Sequence, residues 1–297
     1  MGRLLRVPAA GAALFVLATM VPAPEVPPAA ASAPAAPAAA APGRFALAGK
    51  LIQGGLASGT VPRGTRMLTL EGKAIPFASD GRFIIAFDRD APASARLEAA
   101  LADGTTVSET LAIAPRAWDI SRLDTLPKYP VPQPEFERTR PGELAQITAA
   151  RSKETDAAGW RQDFLWPVTG RISTLFGSQR VYKNGEAGSY HSGIDIARPT
   201  GTVVLAPADG VVVLAAAKPF TLEGNLLMID HGMGLNTAFM HLSRIDVTVG
   251  QRVRRGQPVG AVGMTGRATG PHLHWSLKWR DARIDPLLVA GPMPMAD

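Results

Sequence analysis

The 297-residue chain contains no cysteine, which excludes a disulfide scaffold, a thiolate zinc finger, an iron–sulfur cluster and a thiol nucleophile. Aromatic residues are scarce, at 6%. No stripe of interleaved aromatic and basic residues and no nucleic-acid motif is present, so the formal charge of +6 does not read as a nucleic-acid surface. It suits an anionic polymer instead. The apolar run from Ala9 to Val21 is too short to cross a bilayer, which takes ~20 residues. Histidine is also sparse: there are five, all between His191 and His274, so the chemistry is to be sought in the C-terminal third. What remains is an ordinary globular balance, 46% hydrophobic and 19% charged, in a chain long enough for two modest domains.

Residues 1–31 place Arg3 and Arg6 before the apolar run and end in Ala29-Ala30-Ala31, the layout of a secretory signal. Residues 22–43 hold 11 alanines and 7 prolines, too much proline for a helix and too little bulky apolar surface to pack. Residues 32–43 are therefore expected to be a spacer. Without residues 1–43 the chain loses Arg3, Arg6 and Glu25 and keeps a charge of +5, so the basic character belongs to the folded part.

Residues 44–127 read as a small β-sandwich-like domain. Met67–Leu70, Arg82–Phe87, Arg96–Leu101 and Val107–Ile113 are β-compatible, with Asp80-Gly81 and Asp103-Gly104 as hairpin signals. This region carries no histidine and no glycine-rich phosphate loop, and it serves either to bind a partner or to position its neighbour. Residues 128–163 form a proline-rich connector in which Glu143–Arg151 is expected to be a short helix after Pro141. Residues 164–290 are glycine-punctuated β structure, with six glycines between Gly250 and Gly270 that leave room for turns but not helices.

Within that region, His191 and Asp195 stand four apart. Gly193 and Pro199 oppose a helix, and in an extended segment positions i and i+4 point to one side, where imidazole and carboxylate suit Zn²⁺. In Gly270-Pro271-His272-Leu273-His274-Trp275-Ser276-Leu277, alternation puts His272, His274 and Ser276 on one face and Leu273, Trp275 and Leu277 on the core face. A third element, Met240-His241-Leu242-Ser243, ends a strand. His231, in Asp230-His231-Gly232, reads as structural, Trp275 as core, and Trp279 as a residue that could stack on a substrate.

Together these elements resemble the lysostaphin-type (LytM-domain) zinc metallopeptidases, the cell-wall endopeptidase family. The likeness runs from about Trp166 to Leu287. It passes in order through Phe176-Gly177, His191-x-x-x-Asp195, Ala206-Pro207-Ala208-Asp209-Gly210, Asp230-His231-Gly232, His241-Leu242-Ser243, Gly263-Met264-Thr265-Gly266, Gly270-Pro271-His272-Leu273-His274 and Asp285-Pro286. The resemblance implies a mainly all-β protein whose C-terminal domain is a two-layer β-sheet with an open groove. It implies His191, Asp195 and His274 as ligands of one zinc ion. His241 and His272 become the catalytic pair, one taking the water's proton and the other serving the oxyanion and leaving amine; His272 is taken here as the base. The family's tyrosine two residues before the catalytic histidine is Phe239 here, and Tyr190 stands as a substitute hydroxyl. The implied function is an exported, periplasmic or envelope-associated endopeptidase acting on peptidoglycan peptide stems, with no nucleic-acid partner and no transmembrane span after signal removal. The alternative is a non-catalytic regulator that activates another wall hydrolase.

Overall fold

A computed structural model describes residues 43–123 and 134–294; the expected signal and most of the spacer lie outside them. The first region begins with β1 (Ala46–Gly49), β2 (Leu56–Thr60), β3 (Thr65–Leu70), β4 (Lys73–Ile75), β5 (Arg82–Ala86), β6 (Ser94–Leu101) and β7 (Thr106–Ala112). They form two antiparallel sheets, of order β1-β2-β5 and β4-β3-β6-β7. Their inner faces meet in one core that includes Phe83, Ile85, Leu68 and Leu97. Asp103-Gly104 turns the β6–β7 hairpin as expected. Asp80-Gly81 does not make a hairpin, because β4 pairs with β3 while β5 pairs with β2; that turn carries the chain from one sheet to the other.

β8 (Ile120–Leu123) leaves this region and pairs in parallel with β10 (Gln179–Tyr182). Helix α1 spans Pro134–Arg151, so the expected helix starts earlier than Glu143 and contains Pro141 instead of following it. An interior proline costs about 3 kcal/mol, and the contacts on either side of it offset that. Arg140 bonds both carboxylate oxygens of Glu223, at 2.6 and 2.7 Å. Glu143 accepts from the Thr221 amide and hydroxyl, both at 2.6 Å.

The second region holds β9 (Arg171–Thr174), β11 (Ile194–Ala197), β12 (Val203–Leu205), β13 (Gly210–Ala215), β14 (Asn225–Asp230), β15 (Leu235–Leu242), β16 (Arg244–Ile245), β17 (Arg252–Val253), β18 (Pro258–Ala261), β19 (His272–Trp279), β20 (Ala282–Ile284) and helix α2 (Pro286–Ala290). An eight-stranded sheet runs β17-β13-β14-β15-β19-β11-β9, with β20 also on β19; a second sheet has the order β12-β18-β16. Leu273, Trp275 and Leu277 are fully buried on one face of β19 and share their core with Val204 and Val259 of the second sheet. Each such side chain contributes roughly 1.5–3 kcal/mol. Asp285 caps α2 by accepting from Leu287 N–H at 3.0 Å, with Pro286 in the first turn. Among the described residues no helix is long and apolar enough to cross a membrane.

The opposite face of the large sheet is also occupied in part. Met240 pairs with His274 and Ala238 with Ser276, so these side chains share a face. On that face Ile147 and Ala150 of α1 pack with Val213, Leu214, Met228 and Ala238.

Candidate metal centre

Antiparallel pairing of β11 with β19 sets Asp195 directly opposite His274. His191 precedes β11 in a loop and reaches the same point across Gly193. A side chain at Gly193 would press on the His274 ring, with Cβ 2.8 Å from Nε2. His191 Nε2 lies 3.0 Å from Asp195 Oδ1 and 3.0 Å from His274 Nδ1, and His274 Nδ1 lies 2.9 Å from the same carboxylate oxygen. The three expected ligands are thus brought together.

The proton positions follow from the outer partners. His191 Nδ1–H donates to Leu175 O at 3.1 Å, His241 Nδ1–H to Thr265 O at 2.8 Å, and His272 Nδ1–H to Gly270 O at 2.8 Å. A carbonyl only accepts, so each of these neutral rings turns a bare Nε2 inward. His274 turns Nδ1 inward instead, and its Nε2 is buried without a partner. Bare nitrogens of His191 and His274 therefore face one carboxylate oxygen and each other at 2.9–3.0 Å, close enough for one small cation to touch all three. Three acceptors converging in this way need a cation, or added protons, between them. The donor set fits a divalent metal ion of the zinc type.

Burial opposes ionisation of Asp195, but in the metal-free site a proton on the inward nitrogen of His191 or His274 donates to the carboxylate, outweighs burial and holds the carboxyl well below the usual range. Burial lowers the pKa of His274 and pushes His241 down to about 4. The flanking imidazoles sit close by: the His241 ring centroid is 4.8 Å from that of His272 and 6.3 Å from that of His274. His272 Nε2 is 3.7 Å from Asp195 Oδ1. His241 itself has a left-handed backbone, φ +63°, a conformation that costs about 1–2 kcal/mol outside glycine. It is held there by its N–H donating to Glu223 O at 2.8 Å and by the Thr265 contact.

Four secondary expectations are revised or sharpened. The Tyr190 hydroxyl donates to Asp88 at 2.7 Å and accepts from Arg283 at 3.1 Å, so it is committed away from the histidines and is no substitute hydroxyl. Phe239 is fully buried opposite Trp275, on the core face. Trp279 is buried with its N–H on Met233 O at 3.0 Å, which removes it as a stacking platform. His231 is enclosed between Asp209 O and the Thr237 hydroxyl, at 2.7 and 2.9 Å, a structural role. The carbonyls of Leu175, Thr265 and Gly270 have no signature of their own in the sequence, although Thr265 and Gly270 fall within glycine-rich motifs.

Residues 189–286 match the model of peptidase family M23. The chain is 42% identical over 123 residues to the peptidoglycan DD-endopeptidase ShyA of Vibrio cholerae, covering 41% of this chain and 28% of the relative. It is 42% identical over 124 residues to the DD-carboxypeptidase/endopeptidase Mpg of Neisseria meningitidis, covering 42% and 28%. The chain thus spans 28% of the length of these curated relatives. A Pseudomonas aeruginosa crystal structure that carries the name peptidase M23 superposes with a TM-score of 0.62 at 30% identity, over 82% of this chain and 96% of that one. Since that likeness takes in the first region as well as the histidine-bearing sheet, the chain belongs to peptidase family M23.

Proposed function

We propose that this M23 peptidase is an exported, zinc-dependent endopeptidase that hydrolyses peptide cross-links of bacterial peptidoglycan. The observation that carries the reading is the convergence of His191 Nε2, His274 Nδ1 and Asp195 Oδ1 within about 3 Å of one another, with two further imidazoles beside them. These three residues would hold one zinc ion, which supplies Lewis acidity toward a scissile carbonyl and toward water. His272 accepts the water's proton at Nε2, its Nδ1–H being fixed on Gly270 O. The proton that His272 takes up is the one that returns to the leaving amine, by way of His241, whose ring centroid is 4.8 Å from that of His272; while it carries that proton at Nε2, His241 hydrogen-bonds the developing oxyanion. The substrate class is supported by relatives named as peptidoglycan DD-endopeptidases, and by a basic mature chain behind a signal-like N-terminus. We assign residues 1–31 to the signal, 32–43 to the spacer, 44–127 to the β-rich domain, 128–163 to the connector and 164–290 to the peptidase. A regulator that only activates another hydrolase would need neither the ligand trio nor the flanking pair, and all five residues are present.

Mass spectrometry of cross-linked muropeptides incubated with the protein, with and without a zinc chelator, tests this reading. Chelator-sensitive conversion of dimers to monomers is expected, and the fragment masses identify the bond. No conversion together with no bound zinc would overturn it.

A further inference from the structure

We propose that the first β region supplies the outer support of the metal centre, with Arg89 as a positioning residue for His191. The proposal rests on the reading of His191 as a metal ligand. His191 lies in a loop, and its orientation depends on the turn at Leu175–Ser178. Its Nδ1–H donates to Leu175 O at 3.1 Å, its backbone N–H donates to Ser178 O at 2.8 Å, and its carbonyl accepts from Gly177 N–H at 2.8 Å. That turn is in turn gripped from the first region. Arg89, in the loop after β5, is 6% exposed. Its Nε–H donates to Gly177 O at 3.0 Å and its guanidinium reaches the Gln179 side chain at 3.1 Å. The guanidinium carbon stands 5.2 Å from the Trp118 ring and 5.0 Å from the Tyr190 ring.

The neighbouring Asp88 completes the grip. One of its oxygens accepts from the Tyr190 hydroxyl at 2.7 Å and the other from Arg283 N–H at 2.9 Å. Tyr190 and His191 are adjacent, so the residue before the ligand and the turn behind it are both anchored on Asp88-Arg89. A planar guanidinium suits this place because it donates in two directions while stacking on aromatic faces. Outer-shell groups that orient a ligating histidine are worth 10–100-fold in metal affinity. A region with no histidine of its own therefore acts on the chemistry through His191.

The test is zinc affinity by competition with a chromophoric chelator, together with the visible absorption band of the cobalt-substituted protein. Wild type, Arg89→Ala, Arg89→Lys and His191→Ala are compared at a temperature where circular dichroism shows every metal-free protein folded. Arg89→Ala is expected to bind zinc 10–100-fold more weakly and to shift the cobalt band. Arg89→Lys, which keeps one donor but loses the fork, is expected to fall between; it carries the test alone if Arg89→Ala does not fold. Wild-type affinity and an unchanged cobalt band in the arginine variants would overturn the positioning role and leave the metal reading intact. Unchanged zinc binding by His191→Ala would overturn the metal reading, and this proposal with it.

Discussion

Arg140 holds Glu223 by two parallel bonds, of 2.6 and 2.7 Å, and Glu223 O accepts the backbone N–H of His241 at 2.8 Å. One residue thus joins helix α1 to the strand end that carries His241, a member of the proposed catalytic pair. The Arg140 and Glu223 side chains are only 16% and 10% exposed, so removal of the cation leaves a largely buried carboxylate unpaired. Arg140→Ala should lose on the order of 3 kcal/mol of stability, read from urea unfolding curves. A loss below about 0.5 kcal/mol would mean that the pair behaves as a solvated surface contact.

The two histidines of His272-x-His274 should separate experimentally. His274→Ala is expected to abolish both bound zinc and peptide hydrolysis. His272→Ala should abolish hydrolysis while one zinc per chain remains, as counted by elemental analysis of the dialysed protein. Equal zinc loss in both variants would reverse the assignment within the motif.

Gly224 adopts φ +65°, and a methyl group there would overlap the Thr265 backbone. Thr265 O is the acceptor that fixes the His241 ring. Gly224→Ala is therefore expected to cost roughly 1–3 kcal/mol and to lower kcat more than zinc content. Unaltered kcat would show that the His241 ring keeps its place without that carbonyl.

Burial holds the His231 pKa down to about 4, well below the ordinary ~6.5. Below that ordinary value the unfolded chain takes up a proton that the folded chain refuses, so stability rises with pH over this window. It should fall by up to roughly 3 kcal/mol between pH 6.5 and 4, and the contribution should level off below that. Unfolding free energies measured at several pH values with chelator present should fall less steeply for His231→Gln. Identical slopes would assign the acid sensitivity to other groups.

Much of the site was legible because strand period two is a strong constraint. Leu273, Trp275 and Leu277 demand a core, which forces His272, His274 and Ser276 to the other face. The pairing of His191 with Asp195 was legible only in part, since Asp195 lies on β11 and His191 reaches it from a loop. The parallel β8–β10 pair joins Ile120 to Gln179, and no local pattern announces a partner at such a distance. Arg89 is a similar case, because its role rests on aromatic rings and a backbone carbonyl contributed by remote segments. Helix α1 was underestimated because local propensity charges Pro141 in full and cannot see Glu223 or Thr221.

The docking of α1 on the histidine-bearing face also sets a boundary. From His274 on β19, the sheet runs through β15, where Ala238 is already covered, to β14. Met240, the residue paired with His274, also packs against that cluster, so the covered surface begins one strand, about 4.8 Å, from His274. The helix thus borders the His191, Asp195 and His274 trio on the β15 side, and its removal would lay Ala238 and Met240 open to solvent.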